Sequence, residues 1–252
     1  MKATAIIPAR YGSTRFPGKP LALINGLPMI QHVCQRVSRA TTVDRVIVAT
    51  DDERIVAAVA AFGGEVMLTR TDHPTGTDRL AEVAAHIDSE LIVNVQGDEP
   101  LIDPRMVDQA VAPLVENPQI QMGTLASAID DIDDFHNPNV VKVVKQQGGL
   151  ALYFSRAPIP WPRDLTPDQL AEELPRLGVL RHIGLYVYRR QLLLDYPSWP
   201  KTPLETLENL EQLRALERGI GLYVAETEFS CHGVDTPADL KRVEALLAAE
   251  NQ

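Results

Sequence analysis

Two cysteines, Cys34 and Cys231, stand in a chain of 252 residues. Their distance excludes a disulfide scaffold, and neither belongs to a metal-ligand spacing. Positive charge is also scarce: 24 Lys and Arg against 34 Asp and Glu give a formal net charge of -10. That balance argues against nucleic acid and anionic membranes as partners. No apolar run approaches ~18 residues and the chain starts without a leader pattern, so a cytoplasmic, non-membrane protein is the expectation. Internal repeats and low-complexity tracts are absent too. What remains is ordinary: 45% hydrophobic residues, enough to close the core of one large domain over residues 1–252.

Against that acidic background, the first twenty residues stand out. Ala5-Ile-Ile7 is a short apolar run suited to a buried parallel strand. A loop with three cations follows, Arg10, Arg15 and Lys19, interleaved with Gly12, Ser13 and Gly18. Glycine lets backbone N–H groups approach an anion, and the cations neutralise phosphate charge. The spacing is not that of a P-loop. A phosphate cradle at the carboxyl end of a first strand fits it, and so does a solvated basic loop.

Further strands are expected at 45–49, 65–68 and 91–95. Helical faces at Ile30, Val33, Cys34 and Val37, at Ile55, Val56, Val59 and Phe62, and at Leu80, Val83, Ala84 and Ile87 alternate with them. Cys34 is then a small core residue. This alternation predicts an α/β fold, doubly wound around a mostly parallel, Rossmann-like sheet. The middle changes character. Strand-like stretches at 122–127, 140–144, 150–154 and 181–188 predict a strand-rich excursion over about 130–190, with a hairpin at Gly148-Gly149. Its Pro-rich part, 156–178, reads as a surface loop. Residues 203–218 read as one helix with Leu204, Leu207, Leu210 and Leu213 on its core face. Thr236 and Pro237 open the last helix.

Three stretches carry candidate chemistry. Asp98 follows the fourth strand, where a carboxylate points into the ligand crevice and suits Mg²⁺. Asp235, between a strand and a helix, is the second candidate metal carboxylate. Thr75-Gly-Thr-Asp78-Arg79 opens a helix whose N-terminus attracts anions or carbonyls, with Asp78 and Arg79 pairing with each other or their neighbours. Each stretch alone is also explicable as a turn or a cap.

Together they resemble one family. Ile6-Ile-Pro-Ala-Arg10, Ser13-Thr-Arg-Phe-Pro-Gly-Lys19-Pro-Leu, His73-Pro-Thr-Gly-Thr-Asp-Arg79 and Val95-Gln-Gly-Asp-Glu-Pro100 are similar to signatures of the sugar cytidylyltransferases. Arg181-His-Ile-Gly-Leu-Tyr186, Leu204–Arg214 and Gly233-Val-Asp-Thr236 narrow it to the branch that activates 3-deoxy-manno-octulosonate (Kdo). Thr75 stands where a serine is common.

The resemblance implies a nucleotidyltransferase fold whose strand-rich excursion forms a dimer interface and contributes to sugar binding. It implies transfer of CMP from CTP to Kdo with Mg²⁺ in a homodimer, feeding lipopolysaccharide assembly. Arg10 and Lys19 then meet the triphosphate, Arg15 the leaving pyrophosphate or the closing of its loop, and Asp98 and Asp235 the metal. Pro8, Ala9, Thr75, Gly76 and Gln96 surround cytosine, while His182, Tyr186, Glu211 and Gln212 contact the sugar and Arg156 its carboxylate. A cytidylyltransferase for a sialic acid, a CTP sensor without turnover and a glycosyltransferase are the competing readings. Gly97-Asp98-Glu99-Pro100 lacks the Asp-x-Asp common in glycosyltransferases.

Overall fold

The computed structural model describes residues 3–12, 16–230 and 233–250, with the side chain of residue 250 left out. Arg15 and Cys231 lie outside the described residues. The chain opens with β1 (Ala3–Ala9), a small hairpin of β2 (Leu23–Ile24) and β3 (Leu27–Pro28), α1 (Met29–Val37), β4 (Val43–Thr50), α2 (Glu53–Ala61) and β5 (Glu65–Leu68). It continues with α3 (Gly76–Ala85), β6 (Leu91–Asn94), α4 (Pro104–Glu116), β7 (Met122–Ala128), α5 (Ile132–His136), β8 (Lys142–Lys145) and β9 (Ala151–Ser155). Then come α6 (Pro167–Glu173), β10 (Leu180–Arg189), α7 (Arg190–Asp195), α8 (Pro203–Glu208), α9 (Leu213–Glu217), β11 (Leu222–Glu226) and α10 (Pro237–Glu250).

The expected mostly parallel, doubly wound sheet is present. Its path runs β11-β7-β10-β6-β1-β4-β5, with β8 on β10 and β9 on β8. Both faces are covered, which is why the β1 sequence is apolar at successive positions. Ala5 and Ile7 pack with Ile30 and Val33 of α1 and Met106 and Val107 of α4. Ile6 packs on the other face with Leu80, Val83 and Ala84 of α3. From β1 the chain winds outward through β4 to β5 and then returns to pair β6 on the far side of β1. That reversal opens a crevice outside the carboxyl ends of β1 and β6.

Three expectations are corrected. The segment about 130–190 is no mere excursion, because β10 lies antiparallel between β6 and β7 in the central sheet. Only the β8–β9 hairpin, joined through Gly148-Gly149 as expected, stands off its end. The Pro-rich stretch is not simply a loop either. Thr166 and Gln169 form a capping box with Pro167 in the first turn of α6, and Leu170 and Leu174 bury themselves against Ile129, Phe135 and Val179. Five prolines mask that small core in the sequence.

Residues 203–218 are two helices. Asn209 takes the left-handed conformation at φ 51° and ends α8. A leucine every third residue advances about 300°, so such leucines drift around a helix instead of holding one face. Leu207 is accordingly 81% exposed while Leu210 and Leu213 are buried. Across the break the Glu205 carboxylate accepts from Arg214 Nε at 2.8 Å and Nη2 at 2.5 Å. Both side chains are only 5% exposed.

That buried pair predicts a sharp stability contrast. Removing one partner of a buried pair strands the other charge and costs about 3–5 kcal/mol. Glu205→Gln should therefore lower the unfolding free energy by an amount of that order. Asp72→Asn, at an exposed pair with Arg70, should leave it unchanged in the same urea titration.

Candidate active site

The ends of β1 and β6 approach so closely that a Cβ on Gly97 would lie 2.9 Å from the Pro8 carbonyl oxygen. Beside them is a cavity of about 380 Å³ lined by Pro8, Ala9, Arg10, Gly12, Lys19, Thr75, Gly76, Gln96 and Asp98, among others. The residues expected around cytosine thus share one wall system with Arg10, Lys19 and Asp98. Lys19 opens a short 3-10 turn, Lys19–Leu21. Its ammonium donates to Asp98 Oδ2 at 2.6 Å and to Asp235 Oδ1 at 3.2 Å. The two acids expected to converge do so, and the cation between them is a lysine expected at the triphosphate. A backbone hydrogen bond from Val234 N to the Asp98 carbonyl, 2.9 Å, brings the distant segment alongside. Asp239 holds that segment at the start of α10 by accepting from Asp235 N and Thr236 N.

Arg10 is exposed and donates through Nη2 to the carbonyls of His73 at 2.7 Å and Thr75 at 3.2 Å. It therefore ties the loop before α3 to the end of β1. His73 pairs with Glu82 one turn and more into α3. Asp78 and Arg79 do not pair with each other. Asp78 forms the capping box with Thr75, and the fully buried Arg79 donates to Asp51 at 2.6 Å and Thr69 at 2.5 Å.

A second cavity, about 660 Å³, is lined by Gln96, Glu99, Asn139, Arg156, Arg181, His182, Tyr186, Asn209 and Gln212, among others. Gln96 belongs to both cavities and is held by donating to the Gly184 carbonyl at 3.1 Å. Gln212 is buried and its Nε2 has no hydrogen-bond partner, which leaves a donor for a ligand. Glu211 was expected beside it, facing the sugar. Instead Thr75 Oγ1 lies 3.1 Å from Glu211 Oε1, and of the two neighbours only Gln212 lines the second cavity. Burial pushes the Glu211 carboxyl up from its ordinary range.

Arg156 lines the second cavity, but three of its five N–H donors are committed to the carbonyls of Glu208, Pro138 and Asn209. Its first duty is to close the end of α8. Arg181, Asn139 and Asn209 also line this cavity and were not expected there. Arg181 sits directly before His182 in the sequence, an adjacency that signals its place here, whereas Asn209 reaches the cavity only because the helix breaks.

His182 is enclosed by Phe154, at 4.9 Å between ring centroids, and Tyr186, at 5.3 Å. Its Nε2 lies 2.9 Å from Thr124 Oγ1, whose own proton goes to the Leu185 carbonyl at 2.7 Å. That places the imidazole proton on Nε2. Desolvation pushes the His182 pKa down to about 3 and raises that of Tyr186, so both are neutral at pH 7.

Among known proteins, the family model described as cytidylyltransferase matches residues 4–227. A protein of Syntrophotalea carbinolica named 3-deoxy-manno-octulosonate cytidylyltransferase is 60% identical over 247 residues, covering 98% of this chain and 99% of that protein. One of the same name from Geobacter metallireducens is 59% identical over 250 residues, 98% of each. A solved structure of CMP:2-keto-3-deoxy-manno-octonic acid synthetase complexed with CTP superposes with a TM-score of 0.92 at 45% identity, covering 99% of this chain and 100% of that one.

The His182 environment predicts an acid sensitivity. Between its ordinary pKa of 6.5 and about 3, the unfolded chain binds a proton that the folded chain refuses, so stability rises with pH across that window and its contribution is constant above it. In a His182→Gln variant the fall of the unfolding midpoint from pH 6.5 toward pH 3 should be shallower than in the parent. Parallel curves would place the imidazole in water.

Proposed function

The chain belongs to the cytidylyltransferase family, and on that premise we propose that it transfers CMP from CTP to the anomeric hydroxyl of Kdo, releasing pyrophosphate. The observation that carries this reading is the joining of two unlike cavities at Gln96. One has cations and two carboxylates at the mouth of a crevice between parallel strands. The other is polar and open, with Arg156 and Arg181 beside the neutral groups of His182, Tyr186 and Gln212.

The cytosine ring fits between Pro8, Ala9, Thr75 and Gly76, where a small pocket selects a pyrimidine by size. The triphosphate extends toward Arg10, the backbone of Gly12 and Lys19. Asp98 and Asp235 are the residues to hold Mg²⁺. They fit it, since both reach the same ammonium and Mg²⁺ uses one or two carboxylates with phosphate oxygens and water completing its shell. Among the described residues no group of three or more His, Cys, Asp and Glu forms a cage for a metal on its own. When bound, Mg²⁺ supplies charge neutralisation at the phosphates and a lower pKa for the attacking hydroxyl.

The sugar lies in the second cavity. Gln212 donates its free N–H to a hydroxyl, Tyr186 and His182 offer neutral polar groups, and Arg156 and Arg181 are the cations for the carboxylate. The hydroxyl attacks the α-phosphorus while pyrophosphate leaves in line, a transfer governed by positioning and charge. Homodimerisation is supported by two exposed apolar side chains, Leu152 on the edge strand β9 and Trp161 in the Pro-rich stretch, 62% and 61% exposed. A cytoplasmic place supplying lipopolysaccharide assembly agrees with the described residues having no helix long and apolar enough to cross a membrane.

Pyrophosphate release from CTP and Mg²⁺ with Kdo or a sialic acid tests the reading. Release is expected with Kdo, release with the sialic acid alone would reassign the sugar, and none with either would end the enzyme reading. Asp98→Asn should lower Kdo-dependent turnover at least ~10²-fold, the scale of losing one electrostatic stabiliser, with little change in thermal unfolding.

A further inference from the structure

We propose that Lys19 is a displaceable internal cation that couples the metal to the nucleotide. Its ammonium holds Asp98 and Asp235 together until a divalent cation takes that place, and it then moves to the triphosphate. This deepens the reading above and rests on its assignment of the two acids as the metal pair.

The geometry makes the two cations rivals. Lys19 Nζ reaches both carboxylates at once, at 2.6 and 3.2 Å, and its side chain is only 14% exposed. An ammonium donates to those oxygens, whereas a metal must be ligated by them. The same oxygen lone pairs cannot serve both fully. With no third acid in the cluster among the described residues, a divalent cation arriving alone gains two carboxylates and must dislodge a charge already satisfied there.

The exchange requires no backbone movement. Lys19 N donates to the Phe16 carbonyl and its own carbonyl accepts from Ala22 N, each at 3.1 Å. Gly18, at φ +71°, lies against the Tyr11 ring, where a Cβ would come within 3.2 Å. The Arg54 guanidinium stacks 3.3 Å from the centroid of that ring. The root of the side chain is therefore fixed, while its four-carbon stem is flexible and sits on the wall of the nucleotide cavity. Once CTP is bound, an ammonium leaving the acids finds phosphate oxygens instead of water. Metal and nucleotide thus each lower the cost of the other's binding, and by linkage the two effects are equal.

Direct Mn²⁺ binding, read by the loss of the free-ion electron paramagnetic resonance signal, tests this without turnover. In the absence of CTP, Lys19→Met and Lys19→Gln should each bind Mn²⁺ about tenfold more tightly than the parent, within the usual ~5–150-fold range of such couplings. The enhancement of Mn²⁺ affinity by CTP should shrink by a similar factor. Arg10→Gln removes another cation from the same cavity without touching the acids, so it measures the general charge effect and should shift nucleotide-free Mn²⁺ affinity far less. An unchanged or weaker affinity in both Lys19 variants, or an equal gain in Arg10→Gln, would overturn the proposal while leaving the metal pair intact. No Mn²⁺ binding by the parent with or without CTP would overturn the metal pair and this inference together.

Discussion

Three remote pieces of chain meet at one ammonium. Lys19 comes from the loop after β1, Asp98 from the end of β6, and Asp235 from the start of α10. Nothing local in any of these segments would bring them together; the parallel pairing of β1 with β6 does. That pairing places the two strand ends side by side, and Gly97 allows the final approach against Pro8. The late segment is then fixed to the Asp98 backbone through Val234. Converging carboxylates repel unless a cation lies between them, so the Lys19 ammonium closes this corner together with the apolar cluster in which Val234 packs on Ile24, Met29 and Leu101.

The nucleotide loop is a second instance of the same logic. Arg10 gives its guanidinium to the carbonyls of His73 and Thr75, and the Thr75 hydroxyl lies 2.8 Å from the Asp78 carboxylate and 3.1 Å from that of Glu211. The loop before α3 is thereby tied to β1 on one side and to the break after α8 on the other. A loop anchored at both ends presents Gly76 and the N-terminus of α3 to the cavity with little freedom to lose on binding, which is what preorganisation requires.

Much of this architecture was legible because its signals are local. Ala5-Ile-Ile7 and Leu91–Val95 are buried on both faces and read as such. Thr75 with Asp78, Asp52 before α2 and Thr236 before α10 announce helix starts through short-range capping. Asp98 after a strand and Asp235 before a helix are expected as a carboxylate pair, whereas the Lys19 ammonium between them is not, since the resemblance implies a triphosphate contact for that lysine. What escaped notice depends on long-range pairs. The antiparallel insertion of β10 is set by its partners β6 and β7, not by its own pattern. The break at Asn209 is stabilised by Glu205 and Arg214 on opposite sides of it, so a leucine pattern suggested one helix where two form. Arg156 was read from its charge, while its commitments to the carbonyls of Pro138, Glu208 and Asn209 exist only in three dimensions.

The division between the cavities also decides what kind of catalysis the site can perform. A general base near pH 7 needs a pKa near that value, and His182 in the larger of the two cavities does not provide one. Its imidazole, lowered to about 3 and donating to Thr124, is too weak a base to be a proton reservoir. Tyr186 is displaced in the other direction and keeps its phenolic proton. These two neutral groups line a cavity that also carries Arg156, Arg181 and Glu99. Across Gln96 stand Arg10, Lys19 and Asp98, with Asp235 on the Lys19 ammonium. In-line phosphoryl transfer tolerates that separation because its barrier responds chiefly to alignment and to charge on the phosphate oxygens. A chain with a net charge of -10 nevertheless places Arg10 and Lys19 on one cavity and Arg156 and Arg181 on the other, so part of its scarce positive charge faces the crevice at the strand ends.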